Sequence, residues 1–276
     1  MLTKFQKYLS DNSVILKDQR LLLALSGGVD SCVLLDLCLK SGLRPALAHC
    51  NFQLRGQASK EDADWIQNLA REKGLECHVQ NFDTQVYVLK KKVSIQVAAR
   101  QLRYRWFDTL SEQNDYDLIL VAHHADDALE TFMINAMRGT GLKGLLGIPE
   151  RRGKILRPML SFSREEIMLY ALENKIQWRE DLSNAKTDYL RNALRHQVIP
   201  QWKKKDPNFD QQFQETLKHL GEAQDVLEDV ISKFKKNNFI PQKQGFKISI
   251  DVLKGLSSLN YYLHALFAPY GFGNLA

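Results

Sequence analysis

Short, mainly apolar runs recur through the first half of the chain and alternate with stretches of helical spacing. The runs are Leu21 to Leu25, Ala46 to Cys50, Leu75 to Val79 and Leu118 to Ala122, and the helical stretches are Ser31 to Lys40, Ser59 to Gly74 and Ser94 to Leu110. A strand that is apolar at successive positions, not at alternate ones, must be covered on both faces. The pattern therefore predicts an α/β fold: a doubly wound, mostly parallel, Rossmann-like sheet with helices on each side. Helix ends agree with this reading. Gly74 falls where a left-handed cap would close a helix with a charged last turn, and Ser163 with Glu166 predicts a capping box for a later helix.

The rhythm changes after Pro200. Asp206-Pro207-Asn208 reads as a break, and Phe209 to Lys236 follows with apolar residues at helical spacing. We expect residues 1–205 to form the sheet domain and 206–276 a small helical domain.

Composition excludes several classes. No apolar run approaches the roughly 18 residues needed to span a bilayer, and the charged N-terminus lacks the apolar stretch of a secretory signal, so a cytoplasmic location and no membrane partner are expected. Cys32, Cys38, Cys50 and Cys77 show no Cys-x-x-Cys spacing and are read as free thiols. His123 and His124 are adjacent, so a regular helix cannot turn both toward one transition metal. The net charge of +6 is unevenly spread. Lys90 to Arg105 carries +6, Arg151 to Arg164 +5 and Lys186 to Lys205 +5, which leaves the rest of the chain acidic. Basic charge concentrated in this way suits a polyanion, because each neutralised phosphate releases counterions.

The first strand runs directly into Ser26-Gly27-Gly28-Val29-Asp30-Ser31 and then a helix. Two glycines let backbone amides approach a ligand, hydroxyls donate to anionic oxygens, and the helix N-terminus favours negative charge. This is a phosphate cradle, yet no Lys follows as in the Walker loop, and it is not Gly-x-Gly-x-x-Gly. Ser-Gly-Gly-x-Asp-Ser resembles the PP-loop of ATP pyrophosphatases. Further motifs narrow the choice: His49 to Gly56, His123-His124-Ala125-Asp126-Asp127-Ala128-Leu129-Glu130-Thr131, Arg138-Gly139-Thr140-Gly141, Gly147-Ile148-Pro149, Arg157-Pro158, Asp181 to Asn184, Arg191-Asn192 and Arg195. From about Leu21 to Pro200 the chain resembles the tRNA(Ile)-lysidine synthetase family.

That resemblance implies an ATP-dependent carbon–nitrogen ligase. ATP adenylates the wobble cytosine of a tRNA(Ile) with a CAU anticodon, and free L-lysine then displaces AMP. It implies ATP binding by Ser26, Gly27, Gly28, Val29, Asp30, Ser31 and Arg138, with Mg2+ as cofactor on Asp30. Arg103, Asp127 and Glu130 would bind lysine; Asp30, Asp127 and Glu130 would be catalytic, with Asp127 or Glu130 as the base that takes a proton from the attacking amine. Arg55, Arg100, Arg191 and Arg195 would contact tRNA. Arg100, Tyr104 and Trp106 could offer planes to a flipped base, although Trp106 has the spacing of a core residue. Lys203 to Lys205 could track RNA or simply be solvated. Oligomeric state stays open, a homodimer included. Many members of the family extend further, so a truncated or short form, weakened in tRNA binding, is expected.

Three other readings remain. A PP-loop tRNA thiolase would need cysteines at metal or persulfide spacing. A glutamine-dependent synthetase would need a nucleophilic Cys, and Leu2 follows the initiator Met. A non-catalytic nucleotide-binding module would not need Asp30, Asp127, Glu130 and Arg138.

Overall fold

A computed structural model describes residues 1–11, 15, 18–179, 189–243 and 245–272. The expected Asp181 to Asn184 motif lies outside the described residues. Two compact units form, one from Met1–Gly139 with Gly147–Gln214, the other from Thr140–Leu146 with the chain from Glu215 onward.

In the first unit, α1 (Leu2–Asp11) precedes a βα alternation: β1 (Leu21–Ala24), α2 (Val29–Lys40), β2 (Ala46–Asn51), α3 (Gln57–Lys73) and β3 (Cys77–Asn81). Two helices, α4 (Thr84–Lys91) and α5 (Ile95–Gln113), lead to β4 (Leu118–Leu120) and α6 (Ala125–Met137). The short α7 (Leu142–Leu145) belongs to the second unit. The chain returns with a hairpin, β5 (Arg151–Arg152) and β6 (Ile155–Leu156), then α8 (Arg164–Glu173), α9 (Tyr189–Ala193) and α10 (Ile199–Lys205). Leu194–Val198 joins the last two as a π turn. Pro200, with no N–H for the α ladder, follows one residue after it, at the start of α10.

The strand order is β3-β2-β1-β4-β6-β5, parallel except for β5. Alternation along β1 explains the two-sided cover. Leu21 and Leu23 pack with Val33, Leu37, Ile66 and Ile167 on one face, whereas Leu22 packs with Phe107, Leu110 and Tyr116 on the other. The edge strand β3 is only half-buried, and its sequence is correspondingly mixed.

Local signals hold. Gly74 caps α3 in the left-handed region at φ 62°, and the Ser163/Glu166 capping box is formed, with Glu166 N–H to Ser163 Oγ at 3.1 Å and the reciprocal bond at 2.7 Å. Two features differ from expectation. β3 begins at Cys77, two residues late, because Leu75 N–H is spent on Ala70 O in closing α3. A separate helix, α4, forms where Asp83 accepts from Val86 N–H at 3.0 Å.

In the second unit, the described part from Glu215 continues α11 (Phe209–Asn238), followed by a hairpin, β7 (Ile240–Gln242) and β8 (Gly245–Lys247), α12 (Ile250–Lys254) and α13 (Leu259–Phe267). No helix among the described residues is long and apolar enough to cross a membrane.

Candidate functional site

β1 lies between β2 and β4, where the direction of strand progression reverses, and open α/β sheets bind ligands beyond the strand C-termini at such a point. A cavity of about 170 Å3 lies there, lined by the ends of β1 (Ala24, Leu25), β2 (Ala48, Cys50) and the segment Val121–His123, together with Ser26, Asp30, Ser31, Phe52, Arg103 and Phe107. It is smaller than the roughly 300–1,000 Å3 of a typical ligand pocket, so it can enclose only part of a nucleotide.

The loop is built by its own hydrogen bonds. Ser26 and Ser31 hydroxyls lie 3.1 Å apart, Gly28 N–H donates to Ser26 Oγ at 3.3 Å, and Ser31 Oγ donates to Gly28 O at 2.9 Å. Gly27 has φ +90°, which a side chain rarely adopts, and Gly28 begins α2. The structure thus gathers Ser26, Gly27, Gly28, Val29, Asp30 and Ser31 around the start of α2, with Arg103 on the wall of the same cavity. Arg103 lies 5.5 Å over the Phe52 ring.

Asp30 is paired with the Arg164 guanidinium from the start of α8, a partner that no local sequence signal announced. Among the described residues no three His, Cys, Asp or Glu side chains converge as a metal cage. Mg2+ needs only one or two carboxylates beside phosphate oxygens and water, so Asp30 fits that ion if Arg164 yields.

The second cluster sits at the start of α6. Asp127 accepts from His124 N–H at 3.1 Å, and its other oxygen meets Arg195 Nη2 at 3.2 Å. Glu130 has a side chain that is 0% exposed and takes Arg195 in a fork, with Nε at 2.6 Å and Nη2 at 2.9 Å. Arg191 Nε lies 3.2 Å from Glu130 and donates from Nη2 to Thr131 at 3.1 Å. Burial raises the Glu130 carboxyl despite Arg195. Asp126, beside these, would also rise on burial, but Lys203 and the Arg164 N–H, both at 2.7 Å, hold it below the usual carboxylate range. Lys203 bridges on to Asp210 at 2.9 Å.

Several residues expected at the site have partners within the fold. Arg191 on α9 and Arg195 on the π turn, both expected to contact tRNA, pair with the α6 carboxylates, Arg191 with Glu130 and Arg195 with Asp127 and Glu130. Lys203 is likewise taken by Asp126 and Asp210. Arg55 is held by Asp62 at 2.6 Å. Arg138 caps the far end of α6 and is not among the residues that line the cavity at the Ser26 loop. Trp106 packs edge-on against Phe82 and tilted against Phe107, as its spacing suggested.

Other contributors went unrecognised in the sequence. Asp62 takes Arg179 Nε at 2.7 Å, and Arg179 N–H donates to Gly27 O at 2.9 Å, which ties the glycine loop to α3. His123 lines the cavity; burial, with Arg157, Arg100 and Arg103 nearby, pushes its imidazole down to about 4 even though Asp127 pulls the other way. It is neutral at pH 7. The four cysteines are free, and burial raises Cys32 and Cys50 to about 12, far from reactive thiolates.

Comparison with known proteins agrees with this geometry. Residues 1–202 match the PP-loop domain family. The tRNA(Ile)-lysidine synthase of Bacteroides thetaiotaomicron is 36% identical over 268 residues, covering 97% of this chain and 62% of its own length. That of Porphyromonas gingivalis is 39% identical over 256 residues, 92% of this chain and 56% of its own. That of Chlorobaculum tepidum is 35% identical over 259 residues, 92% of this chain and 78% of its own. The chain thus spans about three-fifths of the first two relatives. Among solved structures, the U34-tRNA thiolase NcsA from Methanococcus maripaludis aligns with TM-score 0.68 at 17% identity over 80% of this chain and 78% of its own, a likeness of fold. The loop at the end of β1, the carboxylates of α6 and these relatives lead to one conclusion: the chain belongs to the PP-loop family and, within it, to the tRNA(Ile)-lysidine synthases.

Proposed function

We propose that this chain activates the wobble cytosine of a CAU-anticodon tRNA(Ile) with ATP and joins it to free lysine. The observation that carries the reading is the shared cavity, in which the Ser26–Ser31 loop, Arg103 and His123 line one space at the strand ends. In the first step the cytosine O2 attacks the α-phosphorus; the new O–P bond forms as the bond to the β-phosphate oxygen breaks, and pyrophosphate leaves. Ser26, Ser31 and the amides at the start of α2 hold the pyrophosphate end, where charge builds up. Asp30 would hold Mg2+, which would add charge neutralisation on the phosphates. Neutral His123 offers a wall that neither repels the base nor adds a cation.

In the second step the lysine ε-amine attacks the base carbon, the carbon–oxygen bond breaks and AMP leaves. An amine of pKa about 10.4 is uncharged in only about one molecule in 2,500 at pH 7, so the site must remove a proton. Asp127, more exposed than Glu130, receives it; Glu130 is committed to Arg195 and positions that guanidinium. Arg103 meets the lysine carboxylate.

The test is to supply ATP, lysine and tRNA singly, in pairs and together. AMP and a lysine-mass gain on the RNA should appear only with all three, and pyrophosphate only where ATP and tRNA are both present. Pyrophosphate release without RNA would contradict the reading.

A further inference from the structure

A second cavity, of about 600 Å3, is lined by Val97, Arg100, Gln101, Tyr104 and Asp108 of α5 and by Arg152 to Ile155 and Arg157 of the β5–β6 hairpin. The two basic stretches Lys90–Arg105 and Arg151–Arg164, some 50 residues apart in sequence, converge here. Arg100, Arg152, Lys154 and Arg157 face one carboxylate, Asp108.

Arg157 is the informative member. It is 3% exposed, it donates from Nη1 to Pro149 O at 2.7 Å, and its Nε has no hydrogen-bond partner. Among the described residues no carboxylate pairs with it. A buried guanidinium without a counter-ion is costly, so proteins pair such groups or reserve them for a ligand. The Tyr104 hydroxyl is buried and unpartnered in the same wall. Arg100 lies 4.8 Å over the Tyr104 ring, which holds its plane in place. Lys154 is already spent, on Tyr116 O at 2.9 Å and Ser111 Oγ at 3.1 Å.

The two cavities are neighbours. Arg100 and Arg103 are one turn apart on α5, and the Tyr104 ring packs edge-on against Phe107, which lines the nucleotide cavity. Arg157 follows β6 directly, and Leu156 O accepts from Val121 N–H at 2.9 Å, just before His123.

We propose that this cavity receives a phosphodiester of the RNA strand next to the reacting base, held by Arg157 Nε, the Tyr104 hydroxyl, Arg152 and Arg100. The proposal rests on the RNA-modifying reading above and assigns a site for the strand's backbone. A free amino acid fits the cavity poorly, since its ammonium groups would meet an excess of positive charge. A phosphodiester supplies only acceptors.

The test is binding of a fluorescent CAU anticodon stem-loop RNA over a range of salt concentrations, alongside equilibrium dialysis of ATP alone. Arg152→Gln and Tyr104→Phe change an exposed side chain and one hydroxyl. Arg152→Gln should weaken RNA binding about tenfold and flatten the logarithmic salt slope by about 0.7. Tyr104→Phe should weaken RNA binding severalfold with the slope kept. ATP affinity should not move in either variant. RNA affinity unchanged in both variants would overturn the inference while leaving the proposed function standing. ATP affinity falling in step would assign the cavity to a nucleotide phosphate, and a raised KM for lysine with RNA binding intact would assign it to the amino acid; each overturns it. Wild-type protein that fails to bind the RNA would count against the proposed function itself.

Discussion

Two groups of arginines in the sheet domain have opposite fates. Arg191 and Arg195 are locked onto Asp127 and the buried Glu130, whereas Arg100, Arg152 and Arg157 have no acidic partner among the described residues. In sequence both look like basic surface. The difference teaches that charge density alone does not mark where a polyanion binds. What matters is whether the folded chain has already supplied the counter-ion. Paired arginines orient carboxylates, and the unpaired ones are those of the proposed phosphodiester site.

The comparison breaks most visibly at Asp127. In the proposed role of proton acceptor it would be worth about 10²- to 10⁴-fold in rate, and Asp127→Asn should then lose that much in lysine transfer while ATP affinity holds. Single-turnover assays would show it; equal losses in ATP binding would mean that Asp127 serves the nucleotide instead. Glu130→Ala sharpens the structural half. Removing the carboxylate from under two guanidiniums should cost about 3 kcal/mol of stability, toward the lower end for a broken buried pair because both arginines stay partly exposed. Denaturant unfolding measures it, and a loss within 0.5 kcal/mol, about that of a surface change, would show the pair to be dispensable.

A smaller effect, of about 2 kcal/mol, is expected for Asp126→Asn, which removes a charged acceptor from Lys203. Its pH dependence has a definite sign. Asp126 is depressed in the folded state, so its contribution is full above the unfolded carboxylate value of about 3.9 and fades as pH falls through its lower folded value. Lys203 is raised, so its contribution is full below about 10.4 and fades only at higher pH. The difference between wild type and Asp126→Asn should therefore be flat from pH 5 to 9 and shrink below about pH 4. A difference that varied across the neutral range would contradict the pairing.

His123 acts only on the acid side. Its folded value of about 4 lies below the unfolded 6.5, so the unfolded chain binds the extra proton and stability should decline as pH falls from 6.5 toward 4. His123→Asn should remove part of that slope. An unchanged slope would place the acid sensitivity elsewhere, His49 being the next buried imidazole.

How much was legible in the sequence follows from the range of the forces involved. β1 and β4 could be read because burial on both faces demands apolar residues at every position, β2 because its first half does the same, and the Ser26–Ser31 loop because its glycines and hydroxyls act locally. The capping box at Ser163 was legible for the same reason. The β5–β6 hairpin was not, since two-residue strands leave no period to detect. The partners of Arg191, Arg195 and Lys203 were hidden as well. Pairing Arg195 with Glu130 depends on how α6 meets the π turn 65 residues later, which nothing near either residue announces. Arg138 shows the converse: its place beside glycines was legible, and it forms the C-cap of α6.

The central claim is that AMP, not orthophosphate, is handed to RNA. ATP labelled on the α-phosphorus, incubated with tRNA in the absence of lysine, should leave label on the RNA, and added lysine should release it as AMP. Label at the γ position appearing as free orthophosphate, with none from the α position ever reaching the RNA, would contradict the account.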